Sequence, residues 1–304
     1  MTTKKTTRSL LFKQATSFVF IALFSTGFLF AQESTTEPNK PVSGTYNSGI
    51  FMENQTVLMY PAKTIEFVIN HRFGKISEGV KELFGIYSPS NIRMGINYSI
   101  TNKLQVGIGT TKFNKQQDLS IKYGILEQTT NGKIPVSITY FGSAFLDARE
   151  ATNFDYENYK FAHRLSYFHE IMFSHKFCEY FNLQAAPTFA YFNVVERTND
   201  TVADPLRRNY NFGLSVLGKL NITPTIALFC EYDHNFTRLI KKYTGPDPKP
   251  NISIGFENAT SAHSFQLFIT TAYDITYQRN MVYNQNDFLH SGLMLGFNIT
   301  RVFY

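Results

Sequence analysis

The chain has no tryptophan and only two cysteines, Cys178 and Cys230, among its 304 residues. Two cysteines cannot make a disulfide framework, so the fold must stand on other contacts whether or not the two pair. No C-x-x-C-H stretch occurs, which excludes covalently attached c-type haem. There is no G-x-S-x-G elbow, and no His/Cys/Asp/Glu spacing resembles a known metal site. Apart from Ala15 to Phe30, no apolar run approaches the roughly 20 residues of a spanning helix. Helical periodicity is scarce too, with SEGVKELFGIY, ending at Tyr87, a loop candidate for one helical turn.

What is present begins with the N-terminus. Lys4, Lys5, Arg8 and Lys13 precede the apolar run with no acidic residue, and Ala31 is followed by the polar Gln32-Glu33-Ser34. This order predicts a secretory signal over residues 1–31, cleaved after Ala31. Of the net charge of +6, those four cations would leave with the signal, so the remainder is near +2. A nearly neutral exported chain gives no footing for a nucleic-acid partner. Residues 32–63, with Pro38, Pro41, Gly44 and Pro61, read as an irregular lead-in.

Beyond residue 64 the dominant signal is alternation. In NIRMGINYSI, Ile92, Met94, Ile96, Tyr98 and Ile100 alternate with Asn91, Arg93, Gly95, Asn97 and Ser99. After Thr101-Asn102-Lys103 the pattern resumes with Leu104, Val106 and Ile108. Successive strand side chains point to opposite faces, so this is a hairpin with one apolar and one polar face. Twelve such strands are predicted, at 64–73, 91–100, 104–111, 117–127, 134–145, 163–177, 182–195, 209–220, 225–237, 250–258, 263–271 and 291–303.

The connections alternate between long and short, with 112–116 the least distinct. Short periplasmic turns and long extracellular loops give bacterial outer-membrane barrels this rhythm, and an even strand count returns both termini to the periplasm. The last strand carries Leu293, Leu295, Phe297, Ile299 and Phe303 on one face and ends at Tyr304. Such a terminal strand resembles the signal read by the barrel-assembly machinery, an expected partner. The predicted fold is all-β: an antiparallel transmembrane β-barrel of about twelve strands over 64–304, in contact with outer-membrane lipid.

HRFG (71–74), FGIYSPSNIRMGINYSIT (84–101), YNQNDF (283–288) and GFNITR (296–301) resemble a Bacteroidota outer-membrane β-barrel family of unknown function, domain-of-unknown-function family 5777. The resemblance runs from about Pro41 to Arg301. It implies a barrel fold and an outer-membrane address, and supplies no activity or catalytic residues.

With the apolar set facing lipid, the alternate set faces the lumen. The charged candidates there are Glu66, Arg72, Arg93, Asp118, Lys122, Arg164, Glu170, Lys176, Glu231, Asp233 and Glu257. Asn91, Asn97, Gln105, Gln184, Asn209, Asn211, Asn251, Ser253 and Gln266 add uncharged polarity. Acids and bases nearly balance, unlike a one-sign selectivity ring. Two readings follow: a bracing network across the wall, or a narrow aqueous path with Arg72, Arg93 and Arg164 as solute contacts. Barrels of about eight strands are filled by side chains and about sixteen to eighteen leave an open channel, so twelve lies between. Long charged side chains, or residues 32–63 tucked inside, could close it.

Catalysis is the competing class. Ser174 adjoins His175 and His263 adjoins Ser264, but strand neighbours point to opposite faces and cannot act as nucleophile and base. His169 and His175 fall on the apolar face, as expected where a strand reaches the headgroup zone. The aromatic loops DAREATNFDYENYKF (147–161) and YDITYQRNMVYNQNDF (273–288) read as an aromatic girdle with solvated tips, with binding of a ligand, glycan or partner as the alternative. The expected function is a narrow channel for small polar solutes. The alternatives are a closed structural or partner-binding scaffold and, more distantly, a membrane lipid hydrolase. No cofactor, metal or catalytic residue is predicted.

Overall fold

A computed structural model describes residues 39–154, 159–195, 208–239 and 247–304. The signal assigned to residues 1–31 lies outside them, as do residues 32–38 of the lead-in.

Twelve strands build the wall: β3 (Ile65–Lys75), β4 (Asn91–Thr101), β5 (Leu104–Thr111), β6 (Gln116–Leu126), β7 (Ser137–Asp147), β8 (Leu165–Lys176), β9 (Phe181–Phe192), β10 (Tyr210–Asn221), β11 (Ile226–Asn235), β12 (Asn251–Ala259), β13 (His263–Thr270) and β14 (Met294–Phe303). Each pairs antiparallel with its sequence neighbours, and β14 closes on β3 with Phe303 opposite Ile65 and Gly296 opposite Arg72. Closure leaves no unpaired edge, the condition for strands to cross a bilayer.

The alternation of the sequence becomes alternation of burial. Along β6, Gln116, Asp118, Ser120 and Lys122 are buried while Leu119, Ile121, Tyr123 and Ile125 are exposed. Along β4 and β5, Met94, Ile96, Tyr98, Ile100 and Ile108 point outward, Ile108 with 60% of its surface open. Polar groups inside and apolar groups outside invert the order of a soluble domain, and lipid is the medium that covers such a belt.

The turn between β4 and β5 forms as its residues dictate, Thr101 Oγ1 accepting from the amides of Lys103 (3.1 Å) and Leu104 (3.0 Å). Two connections depart from the predicted rhythm. The β6–β7 connection, expected to be short at 128–133, spans residues 127–136 and is braced by Thr129 N donating to Ile134 O at 2.9 Å. On the long-loop end, β5 and β6 are joined by four residues, 112–115. The meander still alternates ends, because successive antiparallel strands can do nothing else.

The lead-in is a structural element in its own right. Near the short-turn end, Pro41 bridges to Thr129 and Val42 N donates to Gln128 O. The chain then runs into the barrel and forms a small hairpin of β1 (Ile50–Phe51) and β2 (Asn54–Gln55). It returns to the same end, where Ala62 N donates to Asn102 Oδ1 (2.8 Å) and Lys63 N to Ser99 O (2.7 Å). Tyr46, Ile50, Phe51, Met52, Val57 and Tyr60 are all buried on this excursion, Phe51 and Met52 completely.

A second intrusion comes from the opposite mouth. The β13–β14 loop carries α1 (Tyr277–Tyr283), in which Tyr277, Gln278, Asn280, Met281 and Val282 are buried. The girdle expected from this stretch is thus not what Tyr277 forms: its ring packs on Phe141 (5.3 Å) and Phe168 (5.3 Å) inside the barrel. SEGVKELFGIY forms no α-helix but two 3-10 turns, Ile76–Glu78 and Val80–Glu82.

Candidate functional site

The site is the lumen, filled by the hairpin from one end and α1 from the other. The two meet where Gln55 Nε2 donates to the Tyr277 hydroxyl at 2.7 Å.

Backbone groups buried away from the sheet need partners, and the wall supplies them from side-chain amides. Gln266 Nε2 donates to Ile50 O (3.0 Å) while its Oε1 accepts from Met52 N (3.2 Å). Asn298 Nδ2 donates to Met52 O at 2.9 Å. Across the lumen, Gln184 repeats the pattern on Gln55 O (2.8 Å) and Val57 N (3.0 Å). Inward Gln and Asn residues therefore act on the hairpin as a neighbouring strand would.

Charged groups follow the same plan. Arg72 grips Glu53 with two bonds, Nε to Oε1 (3.0 Å) and Nη2 to Oε2 (2.9 Å). Its Nη2 also donates to Met52 O (2.9 Å), and its guanidinium lies 4.6 Å from the Phe268 ring centre. Both partners are almost wholly out of solvent. A bidentate guanidinium–carboxylate pair is the geometry in which a buried ion pair is best compensated. Glu66 accepts from Gly49 N (3.1 Å), Tyr60 (3.1 Å) and Asn97 (2.8 Å). A side chain on Gly49 would place its Cβ 2.7 Å from that carboxylate, so only glycine allows the approach.

Of the remaining sequence candidates, Lys122 Nζ donates to Gly49 O (3.1 Å), and Lys176 Nζ to Ser43 O (2.7 Å) at the short-turn mouth. Glu231 and Asp233 both accept from Asn54 Nδ2 at 2.7 Å. Glu257 accepts from Asn47 (3.2 Å) and Ser264 (2.7 Å). Arg93 and Asp118 pair across β5 at 2.7 Å, where Gly109 leaves the room: a Cβ there would lie 2.4 Å from the guanidinium. Both Glu170 carboxylate oxygens are buried without a hydrogen-bond partner.

Arg164 departs from the pattern. It ends a 3-10 turn before β8, half-buried, with its guanidinium on the carbonyls of Asp147 and Arg149 and over the Phe154 ring. Its strand parity matched the lumen, but regular strand geometry begins one residue later. None of the three arginines read as solute contacts is unengaged: Arg72 holds Glu53, Arg93 holds Asp118 and Arg164 holds loop carbonyls.

Among the described residues, Lys219, Glu53 and the buried Asp147 at the end of β7 are charged lumen residues beyond the sequence candidates. Lys219 shares the inward parity of Asn209 and Asn211, and pairs with Glu257 at 3.4 Å. Glu53 lay in a segment to which no face could be assigned. Cys178, in a turn, and Cys230, facing outward on β11, are free. His169 faces outward beside the Tyr140 hydroxyl (2.7 Å), and His175 Nδ1 meets Pro135 O (2.6 Å) near the short-turn end.

Comparison with known proteins places this geometry in a family. A search of curated proteins returns no match. Among solved structures the chain is similar to the NanC porin (8% identity, 79% of this chain and 98% of that one, TM-score 0.49). It is also similar to an outer membrane channel from Pseudomonas putida F1 (11%, 81% and 97%, TM-score 0.48) and to Salmonella typhi OmpF (9%, 79% and 97%, TM-score 0.39). The family model described as "Membrane bound beta barrel domain (DUF5777)" matches residues 46–303, which takes in the luminal hairpin as well as the wall. With a closed twelve-strand wall, an outward apolar belt and this match, the chain belongs to that membrane-bound barrel family and is a bacterial outer-membrane β-barrel.

Proposed function

We propose that the protein is an outer-membrane channel for small polar solutes, shut at rest by its own N-terminal segment. One observation carries the reading: the wall closes through β14 on β3 without any contribution from residues 46–60. The occluding segment is joined covalently to the barrel only through Pro61–Thr64, so it can withdraw through the short-turn mouth without breaking a wall pairing. The surface left behind would be lined by Glu66, Arg72, Arg93, Asp118, Lys122 and Glu170, groups that hydration suits better than permanent burial. The Glu170 carboxylate supports the same reading: both oxygens are buried without a well-formed hydrogen bond, with the Lys122 charge and the Gln55 amide nearby, and such groups belong beside water or solute.

The apolar lining favours a second reading, a permanently closed scaffold. Phe51 packs 4.2 Å from Phe229 and belongs to one buried cluster with Phe141, Phe145, Phe168 and Met172, as in a protein core. Planar-bilayer recordings separate the two. The intact chain is expected to stay shut at low voltage, and a variant lacking residues 39–60 to conduct. A folded deletion variant that never conducts, at any voltage, sinks the channel reading.

A further inference from the structure

At the long-loop mouth a cleft of about 350 Å³ opens between the β3–β4 loop and the chain around α1. That lies at the low end of small-molecule sites, about 300–1,000 Å³. We propose that this cleft binds a neutral saccharide of one or two rings.

Charge is the first ground. Its carboxylates are already engaged: Glu78 accepts from Ser88 Oγ and the Lys75 amide, and Asp274 lies 3.4 Å from Arg279 Nε. With Lys75 as the single basic side chain among the lining residues, neither an anion nor a cation finds a concentrated opposite charge here. What the walls offer instead is amide and phenol. Tyr273 and Tyr283 border the cleft, their rings fixed by Phe113 (5.8 Å, edge-on) and Phe192 (5.5 Å, edge-on). Asn286 is pinned by its Nδ2 bond to Thr271 O (2.9 Å). Aromatic rings beside rigid amides suit a ligand with apolar C–H faces and many hydroxyls, which is the chemistry of a sugar ring.

Asn280 is the second, independent ground. It lines the cleft from α1, is only 6% exposed, and its Oδ1 has no hydrogen-bond partner. Its backbone is held at both ends, N to Thr276 O (2.9 Å) and O from Asn251 Nδ2 (3.2 Å). An unmatched amide oxygen on a fixed backbone in the wall of the cleft is an acceptor that a ligand hydroxyl can satisfy. Binding at this mouth does not require the N-terminal segment to move, so the inference stands apart from the channel reading.

The missing tryptophan supplies the assay. Gln285→Trp, at an exposed position lining the cleft, gives the chain a single indole. Full-length protein in detergent is titrated with galactose, N-acetylglucosamine and maltose, and with glucuronate and glucosamine as charged counterparts. The expected result is a saturable emission change with at least one neutral sugar, and weaker binding of both charged forms. Adding Asn280→Ala should weaken the sugar about tenfold, the worth of one hydrogen bond. Tyr273→Leu, on the other wall, should weaken it comparably and serves if Asn280→Ala loses its heat-modifiable gel mobility. No saturable neutral sugar, tighter binding of a charged form, or unchanged affinity in the folded cleft variants would overturn the proposal.

Discussion

The lumen has two unlike sides. On β3 to β6 the inward residues include Glu66, Asn70, Arg72, Asn91, Arg93, Gln105, Asp118 and Lys122, with Val68 among them; on β7 and β8 they include Phe141, Phe145, Phe168 and Met172 beside Glu170. Both sides bury the intruding segments, by different physics. The polar side holds Glu53 and the hairpin backbone through directed bonds, which specify register. The apolar side takes Tyr277 by ring packing on Phe141 and Phe168, and the same core continues to Phe51 on Phe229 of β11; such packing supplies non-directional stability. An open pore would need only the first; a solid core would need only the second. Having both fits a barrel that is shut firmly yet keeps a lining water could wet.

Perturbing each side separately sharpens that contrast. Arg72→Ala should have the largest effect, about 5 kcal/mol, because it leaves the buried Glu53 carboxylate without its counter-charge. Urea unfolding in detergent reads the loss, and adding Glu53→Ala should recover part of it. Phe51→Ala should cost about 3–4 kcal/mol by leaving a cavity against Phe229, and no second truncation should restore it. Tyr277→Phe is the smallest change, about 1–2 kcal/mol, since it strands the Gln55 amide where hairpin and helix meet. Recovery on the apolar side, or none on the polar side, would break the comparison.

The wall was legible in the sequence because lipid on one face and a polar lumen on the other enforce a period of two. Each of the twelve strands starts and stops within about three residues of its alternating run. Lys219 follows the same parity and is legible with it. The hairpin was not: Ile50 to Thr56 is buried on every side, so no face alternates. α1 spans seven residues, too few for a 3.6-residue period to declare itself. Parity fails at Arg164 because it carries no information through a 3-10 turn. The amides read as generic lumen polarity, Gln184 and Gln266, had a specific task that only the hairpin reveals.

That the N-terminal segment lies inside the barrel can be tested without any transport. Ser48 Oγ and Thr300 Oγ1 are 3.0 Å apart, one on the segment and one on β14. A Ser48→Cys/Thr300→Cys variant, with Cys178→Ser and Cys230→Ser, is oxidised in native outer membranes and resolved by gel mobility. A disulfide forming without denaturant, with both thiols shielded from a membrane-impermeant maleimide beforehand, is the result expected of a luminal segment. Free labelling of both thiols and no cross-link would contradict it.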